Sequence, residues 1–210
     1  MRFGRRLPRS FFARPSTVVA PELLGRILVR VLPDGSRLAA RLVEVEAYEQ
    51  GDAASHSYEG RPTPRTEVMF GPPGHLYVYF TYGQHFCSNV VTRPAGIGSA
   101  VLIRAAEPLG GSEVMSANRG LDALRLLCSG PARLTQAFGI ARPENGTDLV
   151  RDGSLFLLAG EQLEPRAIAR STRVGVNLGA ERRWRWFERE SAFVSPGRPS
   201  TAALKGSRRS

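Results

Sequence analysis

Apolar and polar residues alternate with a period of two through much of this chain, and this pattern predicts β-strands. The alternating segments are separated by residues that favour turns, such as Pro-Asp-Gly-Ser at 33–36. We therefore predict strands at 27–32, 37–48, 76–91 with an interruption at Gly83, 100–105, 155–158 and 171–177.

Helical patterns are fewer and shorter. Residues 20–25 indicate a helix, because Pro21 suits a first turn and Gly25 suits an end. Further short helices are predicted at 121–128 and 131–139. Many strands with few helices predict an α+β fold, in which a single domain contains a mixed, largely antiparallel sheet. A chain of 210 residues is long enough for one such domain with a full core.

The net charge of +10 is concentrated at the two ends of the chain. Residues 1–14 carry five arginines and 201–210 carry one lysine and two arginines, with no acidic residue in either segment. The remaining part has 21 basic and 19 acidic residues. We therefore predict a basic N-terminal arm (1–14), a domain (15–195) and a flexible basic tail (196–210). Such ends favour a polyanionic partner, although solubilising tails are an open alternative.

Several classes of protein are excluded or disfavoured by what the sequence lacks. It contains no run of 18 apolar residues for a membrane span, no P-loop, no dinucleotide-binding glycine motif and no nucleophile elbow. Cys87 and Cys128 are too few for a disulfide framework, and with His75 and His85 they form no paired metal motif. Lys205 is the only lysine, so the domain cannot form a Schiff base through a lysine side chain.

The N-terminal sixteen residues are rich in arginine and faintly resemble an organellar transit peptide, but they lack the apolar stretch of a secretory signal. We therefore expect an intracellular protein, which would be cytoplasmic and nucleoid-associated if its source is bacterial.

Two predicted strands carry candidate functional side chains. Glu44, Glu46 and Tyr48 share one strand face, which is either exposed or the wall of a polar cleft. Tyr77 and Tyr79 share a face of another strand, and Tyr82 falls near a turn tip. Such rings can floor a pocket or stack on a nucleic-acid base, and an ordinary aromatic strand in the core is the alternative. A further candidate, His56, lies in a polar loop where a histidine is usually just exposed.

These segments together resemble the 3-methyladenine (alkyladenine) DNA glycosylase family. The resemblance covers roughly residues 10–195, nearly the whole chain. Its motifs are long and varied in residue type. They are VEVEAY at 43–48, ASHS at 54–57, RPTPRTEVMFGPPGHLYVYFTYG at 61–83, HFCSNVV at 85–91, VLIRAAEPL at 101–109, LCSGPARLTQAFGI at 127–140 and RVGV at 173–176. The family's curved β-sheet with short flanking helices is therefore the expected architecture.

The resemblance implies a catalytic role for three residues. Glu46 would be the general base that deprotonates the attacking water, and Arg104 and the backbone carbonyl of Val174 would be the water's other neighbours. At the start of the helix predicted at 131–139, we add the inference that Ser129-Gly130-Pro131 contacts a phosphate through backbone amides.

The resemblance also implies how a damaged base would be held. Tyr48, His56 and Tyr79 would enclose the everted base, while Asn89 would line the pocket and crowd the exocyclic amine of guanine. Tyr82 would enter the gap that the base leaves in the duplex. One departure from the family pattern is Gln84, where methionine is expected after Tyr-Gly; a glutamine there would weaken the apolar wedge.

The resemblance thus implies an enzyme of base excision repair that needs no cofactor. It would bind double-stranded DNA, evert alkylated purines such as 3-methyladenine and 7-methylguanine, and leave an abasic site. Deaminated purines are further candidate substrates. Without a lysine near the site, we expect a monofunctional enzyme, and we expect a monomer. The residues alone leave two alternatives, a non-catalytic nucleic-acid-binding protein that uses its tyrosines as a stacking platform, and a small-molecule transferase.

Overall fold

A curled sheet of eight antiparallel strands forms the centre of the described part of the chain, which comprises residues 4–81, 83–151 and 153–201 of a computed structural model. The strands are β1 (Ile27–Val31), β2 (Arg37–Glu49), β3 (Leu76–Thr81), β4 (His85–Val91), β5 (Ser99–Gly110), β6 (Leu155–Leu158), β7 (Ile168–Ser171) and β8 (Arg185–Glu188). The helices are α1 (Arg9–Phe12), α2 (Ser16–Leu23), α3 (Ser112–Arg119), α4 (Leu124–Leu127) and α5 (Pro131–Phe138), with 3₁₀ helices at Glu67–Phe70, Arg142–Glu144 and Pro165–Ala167.

The long strand β2 organises the sheet, whose main order is β3-β4-β5-β2-β1-β6. Along one edge β2 pairs with β5. Along its other edge it pairs first with β1 and then, from Glu44 to Glu46, with β8. The second half of β2 therefore lies between β5 and β8 inside the sheet, and most of its side chains are buried.

An irregular step in the pairing of β2 with β5, around Glu44, decides which of its side chains face the core. Leu42 and Val45 both belong to the main core cluster although they are three residues apart. Because side chains alternate along a regular strand, an odd spacing means that the strand has changed face. Glu44 and Glu46 consequently point away from the core that Val45 and Ala47 enter.

The core lies between the sheet and the helices. Helix α2 packs on β2, and α5 packs on β4 and β5. Leu23 of α2 and Leu134 and Phe138 of α5 are fully buried. Burial of a large apolar side chain contributes about 1.5–3 kcal/mol, so this layer holds the functional face of the sheet in place from behind.

Most predicted strands are confirmed, as is the α+β fold. The predicted segment 76–91 is the hairpin of β3 and β4, and Gly83 between them has a φ of +65°, which favours glycine. The strand predicted at 100–105 is longer and continues to Gly110.

Other predictions were wrong in detail. Helix α2 begins at Ser16 and not at residue 20, so Pro21 lies inside the helix and not in its first turn. Burial of the β-branched Val19 in the core outweighs the low helix propensity of that residue. Only Leu124–Leu127 of the segment 121–128 is helical. The strand predicted at 171–177 ends at Ser171. Helix α3 and strand β8 were not predicted.

Both ends of the described chain are bound to the domain. Phe12 is fully buried, and Arg9 Nη2 lies 2.6 Å from Asp148 Oδ2. Near the other end, the Ser200 amide donates to the Arg173 carbonyl at 2.7 Å. These contacts join Arg9, Phe12 and Ser200 to the domain, and the boundaries of the basic arm and tail stay predictions. No helix in the described ranges combines the length and apolarity needed to cross a membrane.

Candidate active site

Glu46 lies at the centre of a buried hydrogen-bond network. It is fully buried, and both of its carboxylate oxygens are hydrogen-bonded. Oε1 accepts from the Val174 amide at 2.7 Å. Oε2 accepts from the Tyr48 hydroxyl at 2.9 Å and from Arg104 Nη1 at 3.3 Å. The face that carries Glu44, Glu46 and Tyr48 is thus the wall of a polar interior rather than an exposed surface.

The electrostatic surroundings of Glu46 make it a stronger base than an exposed glutamate. Burial raises its pKa, while Arg104, the Val174 amide and the Tyr48 hydroxyl act in the opposite direction. Burial alone would lower the pKa of Arg104, but Glu46 and Glu44 raise it overall, so the guanidinium stays charged. A carboxylate with a raised pKa beside a permanent cation can take a proton from water.

A cavity of about 370 Å³ opens in front of this network, a size typical of small-molecule sites. Three tyrosines and one histidine contribute to its walls. It is lined by Tyr48, Ala54, His56, Met69, Tyr77, Tyr79, Thr81, Cys87, Asn89, Leu102, Arg104, Pro131, Val174, Gly175 and Val176.

Aromatic rings form one side of this cavity. The ring of His56 meets that of Tyr79 edge-on with centroids 4.6 Å apart, and the rings of Tyr77 and Tyr79 lie 5.6 Å apart. Tyr77 is almost fully buried and packs with Met69 and Val91, so the aromatic-core alternative describes part of its role. These flat surfaces suit a planar ligand.

His56 is positioned by its neighbours although part of the residue is exposed to solvent. Its Nδ1 lies 3.0 Å from the Tyr77 hydroxyl. Partial burial and the nearby Arg65 guanidinium lower the pKa of His56, so its imidazole is neutral at neutral pH. Asn89 is held similarly on β4, where its Nδ2 donates to the Tyr77 carbonyl at 3.1 Å.

The structure brings most of the sequence-predicted site residues together. Six of them line the cavity, and Glu46 lies directly behind the lining, bonded to three of those six. The six are Tyr48, His56, Tyr79, Asn89, Arg104 and Val174. Val174 meets Glu46 through its amide.

Tyr82 lies outside the described residues. Pro131, at the start of α5, also lines the cavity. Within the described residues no group of three His, Cys, Asp or Glu side chains could hold a metal ion.

Sequence reasoning missed a second layer of buried charge. Arg173 is fully buried and pairs with Asp52, with Nη2 3.1 Å from Oδ1. Its guanidinium carbon lies 4.7 Å from the centroid of the Tyr48 ring. Asp52 and Arg173 thus fix the back of one cavity wall. A motif with arginine next to Val174 was noted, but no pattern in the sequence links it to Asp52.

Glu44, Arg185 and Ser195 form the other part of this layer. Glu44 is fully buried and accepts from Arg104 Nε, Arg185 Nε and the Ser195 amide, each at 2.7 Å. The position of Glu44 on the same face as Glu46 was a usable signal. The alternation of arginine and tryptophan at 183–186 was an unused strand signal around Arg185, whereas Ser195 carried none.

The chain is similar to known proteins along most of its length. Residues 10–192 match the family model described as methylpurine-DNA glycosylase (MPG). The chain is 47% identical over 189 residues to a protein of Carboxydothermus hydrogenoformans, covering 90% of this chain and 98% of that one. A Burkholderia lata protein is 49% identical over 195 residues, covering 91% and 92%, and a Methanoculleus marisnigri protein is 47% identical over 192 residues, covering 90% and 98%. All three carry the provisional name 3-methyladenine DNA glycosylase.

Proposed function

Because this chain belongs to the methylpurine-DNA glycosylase family, we propose that it hydrolyses the N-glycosidic bond of methylated purines in double-stranded DNA and leaves an abasic site. The observation that carries the proposal is the fully buried, hydrogen-bonded Glu46 directly behind a tyrosine-walled cavity. A protein that only binds nucleic acid would need the rings but not a desolvated carboxylate held by a guanidinium.

Recognition would use the positive charge of the lesion. An everted purine methylated at N3 or N7 is cationic, and a cation over a desolvated aromatic face gains about 1–2 kcal/mol. Tyr48 and Tyr79 line the cavity and would supply such faces. We propose 3-methyladenine and 7-methylguanine as substrates, with deaminated purines as further candidates. Asn89, which lines the same cavity, would crowd the exocyclic amine of normal guanine.

The chemistry would proceed through Glu46 as the general base. As the glycosidic bond lengthens, the sugar gains positive charge, which a nearby carboxylate stabilises. Glu46 would take a proton from the attacking water, whose oxygen bonds to the sugar carbon while the bond to the base breaks and its electron pair leaves with the purine. A cationic methylpurine leaves without prior protonation, so this step needs no acid. We retain the Val174 carbonyl as a proposed neighbour of the water.

Two further roles complete the proposal. Tyr82 would fill the gap in the duplex, a role that rests on the resemblance. Our own inference is that the amides of Ser129 and Gly130 contact a phosphate beside the cavity that Pro131 lines, since Pro131 itself has no amide hydrogen. We also propose that the enzyme acts as a monomer, and that it acts inside the cell, where its DNA lies.

Base release from a methylated duplex tests the proposal. Purified protein is incubated with end-labelled duplex treated with a methylating agent, and the abasic sites are revealed by alkali and sizing. We expect alkali-dependent cleavage at methylated purines, with none in an untreated duplex. A borohydride-trapped adduct would contradict the monofunctional assignment. Binding to the methylated duplex without any base release would instead favour the non-catalytic binding protein.

A further inference from the structure

Two carboxylates and two guanidinium groups form one buried cluster behind the cavity. Arg104 lies between the carboxylates, with Nε 2.7 Å from Glu44 Oε1 and Nη1 3.3 Å from Glu46 Oε2. Arg185, on β8, donates from Nε to the same Glu44 oxygen at 2.7 Å. Arg185 is only 4% exposed and is absent from the cavity wall. It therefore reaches the reaction only through other side chains.

The charges in this cluster balance only if Arg185 is included. Glu44 and Glu46 are two residues apart on one strand face, so their negative charges repel each other in a site with little water. One guanidinium, that of Arg104, contacts both carboxylates. With Arg185 the cluster is neutral; without it, two carboxylates would share one cation and would tend to keep a proton.

The other groups that face the cluster do not change this balance. Burial raises the pKa of Tyr48, Tyr79 and Cys87, so these three are neutral at neutral pH. Ser195 and the Val174 amide contribute uncharged hydrogen bonds. Arg173 lies against the Tyr48 ring, and its charge is compensated by Asp52.

We propose that Arg185 is a positioning residue for base excision, which neutralises Glu44 so that Arg104 can hold Glu46 in the ionised form. The inference rests on the proposed role of Glu46 as the base. Arg185 is also anchored on its other side, where Nη1 donates to Ser171 Oγ at 3.1 Å. Its position is thus fixed by β7 and β8 rather than by the DNA.

The pH dependence of excision tests this role. Single-turnover rates are measured between pH 5 and pH 9 with excess enzyme and a 7-methylguanine duplex, whose cationic lesion needs no general acid. For Arg185→Met we expect the acid limb of the profile to move to higher pH by about one unit, because Glu46 would hold its proton more tightly. Arg185→Lys keeps the charge and should return the limb towards that of the natural enzyme.

A compensating variant separates charge balance from simple loss of packing. Glu44→Gln combined with Arg185→Met leaves Glu46 and Arg104 as a neutral pair. We expect the acid limb of this double variant to return towards its original position, whereas a purely structural role predicts a profile no better than that of the single variant. The double variant also keeps the test decisive if Arg185→Met alone fails to fold, since it buries no unpaired carboxylate.

Arg41→Met is the matched control. Arg41 also lies on β2 and also bridges to β8, with Nη2 2.9 Å from Glu188 Oε2, but it is separate from the cluster. We expect this control to leave the limb unmoved. An unshifted limb in Arg185→Met, or an equal shift in Arg41→Met, would overturn the inference. Absence of base release by the unmodified protein would instead contradict the proposed function itself.

Discussion

Glu46 receives three hydrogen bonds, and the one from Tyr48 can be removed without losing an aromatic wall. Tyr48→Phe deletes the hydroxyl that donates at 2.9 Å and keeps the ring. A hydrogen bond to a charged group is worth about 1.5–3 kcal/mol, so we expect single-turnover excision to fall about 10- to 100-fold. Affinity for the lesion should change little. Tyr58→Phe, at an exposed tyrosine, is the control and should have no effect; an unaffected rate in Tyr48→Phe would remove the hydroxyl from the mechanism.

The raised pKa of Glu46 also predicts a cost in stability. In the unfolded chain Glu46 titrates at its ordinary value, and burial raises its pKa in the folded state. The folded state therefore holds this proton more tightly, and stability is lost as the pH rises from the ordinary pKa through the raised one. Glu46→Gln removes this titration but also one buried partner of Arg104, so the pH dependence rather than the absolute stability is the readout. We expect the melting temperature of Glu46→Gln to rise relative to that of the natural protein as the pH increases from 5 to 8. Thermal unfolding followed by circular dichroism across that range checks the sign, and a difference that changes in the opposite direction would contradict it.

At the scale of elements, the segment from Ser195 to Ser200 supports the site from behind. Gly197 is the key position, because a Cβ there would lie 2.7 Å from Val174 Cγ1 and 3.2 Å from Arg104 Nη2. We expect Gly197→Val to displace both neighbours and lower the excision rate about 10- to 100-fold. Gly153→Val is the control, since a Cβ at Gly153 would meet nothing within 4 Å. Equal rates in the two variants would show that the segment does not position the site.

The elements that could be predicted from the sequence are those with a clear apolar period. Strand β6 was predicted with its exact bounds because all four of its residues are buried and apolar. Helix α3 was missed because only Met115 of its eight residues is buried. Strand β8 was missed because two of its four residues are charged, and one of these, Arg185, is buried in an ion pair.

At the site, the burial of polar and charged side chains explains what could not be predicted from the sequence. The face with Glu44, Glu46 and Tyr48 could be predicted from alternation, and the tyrosine hairpin from its composition. The step in β2 that turns this face away from the core arises where β2 pairs with β5. The sequence of β2 alone does not reveal it. Residues 196–200 were assigned to a tail, because a contact such as the hydrogen bond from the Ser200 amide to the Arg173 carbonyl leaves no trace in a hydrophobic pattern.

At the scale of the whole molecule, the basic end beyond the described residues predicts a salt-dependent contribution to DNA binding. Removing 202–210 deletes Lys205, Arg208 and Arg209 and no acidic residue. If these groups neutralise phosphates, the slope of log affinity against log salt should become shallower by up to about 3. Excision at saturating enzyme should be unchanged. Fluorescence anisotropy with a labelled duplex at several salt concentrations measures the slope, and an unchanged slope would favour a solubilising tail.

The whole account depends on Glu46 as the base that activates water. Single-turnover excision of 7-methylguanine by Glu46→Gln, with lesion binding measured in parallel, tests this most directly. Because general-base catalysis contributes about 10²- to 10⁴-fold, we expect the rate to fall by at least about 100-fold while affinity for the lesion is largely retained. A Glu46→Gln variant that releases the base at a rate near that of the natural protein would contradict the account.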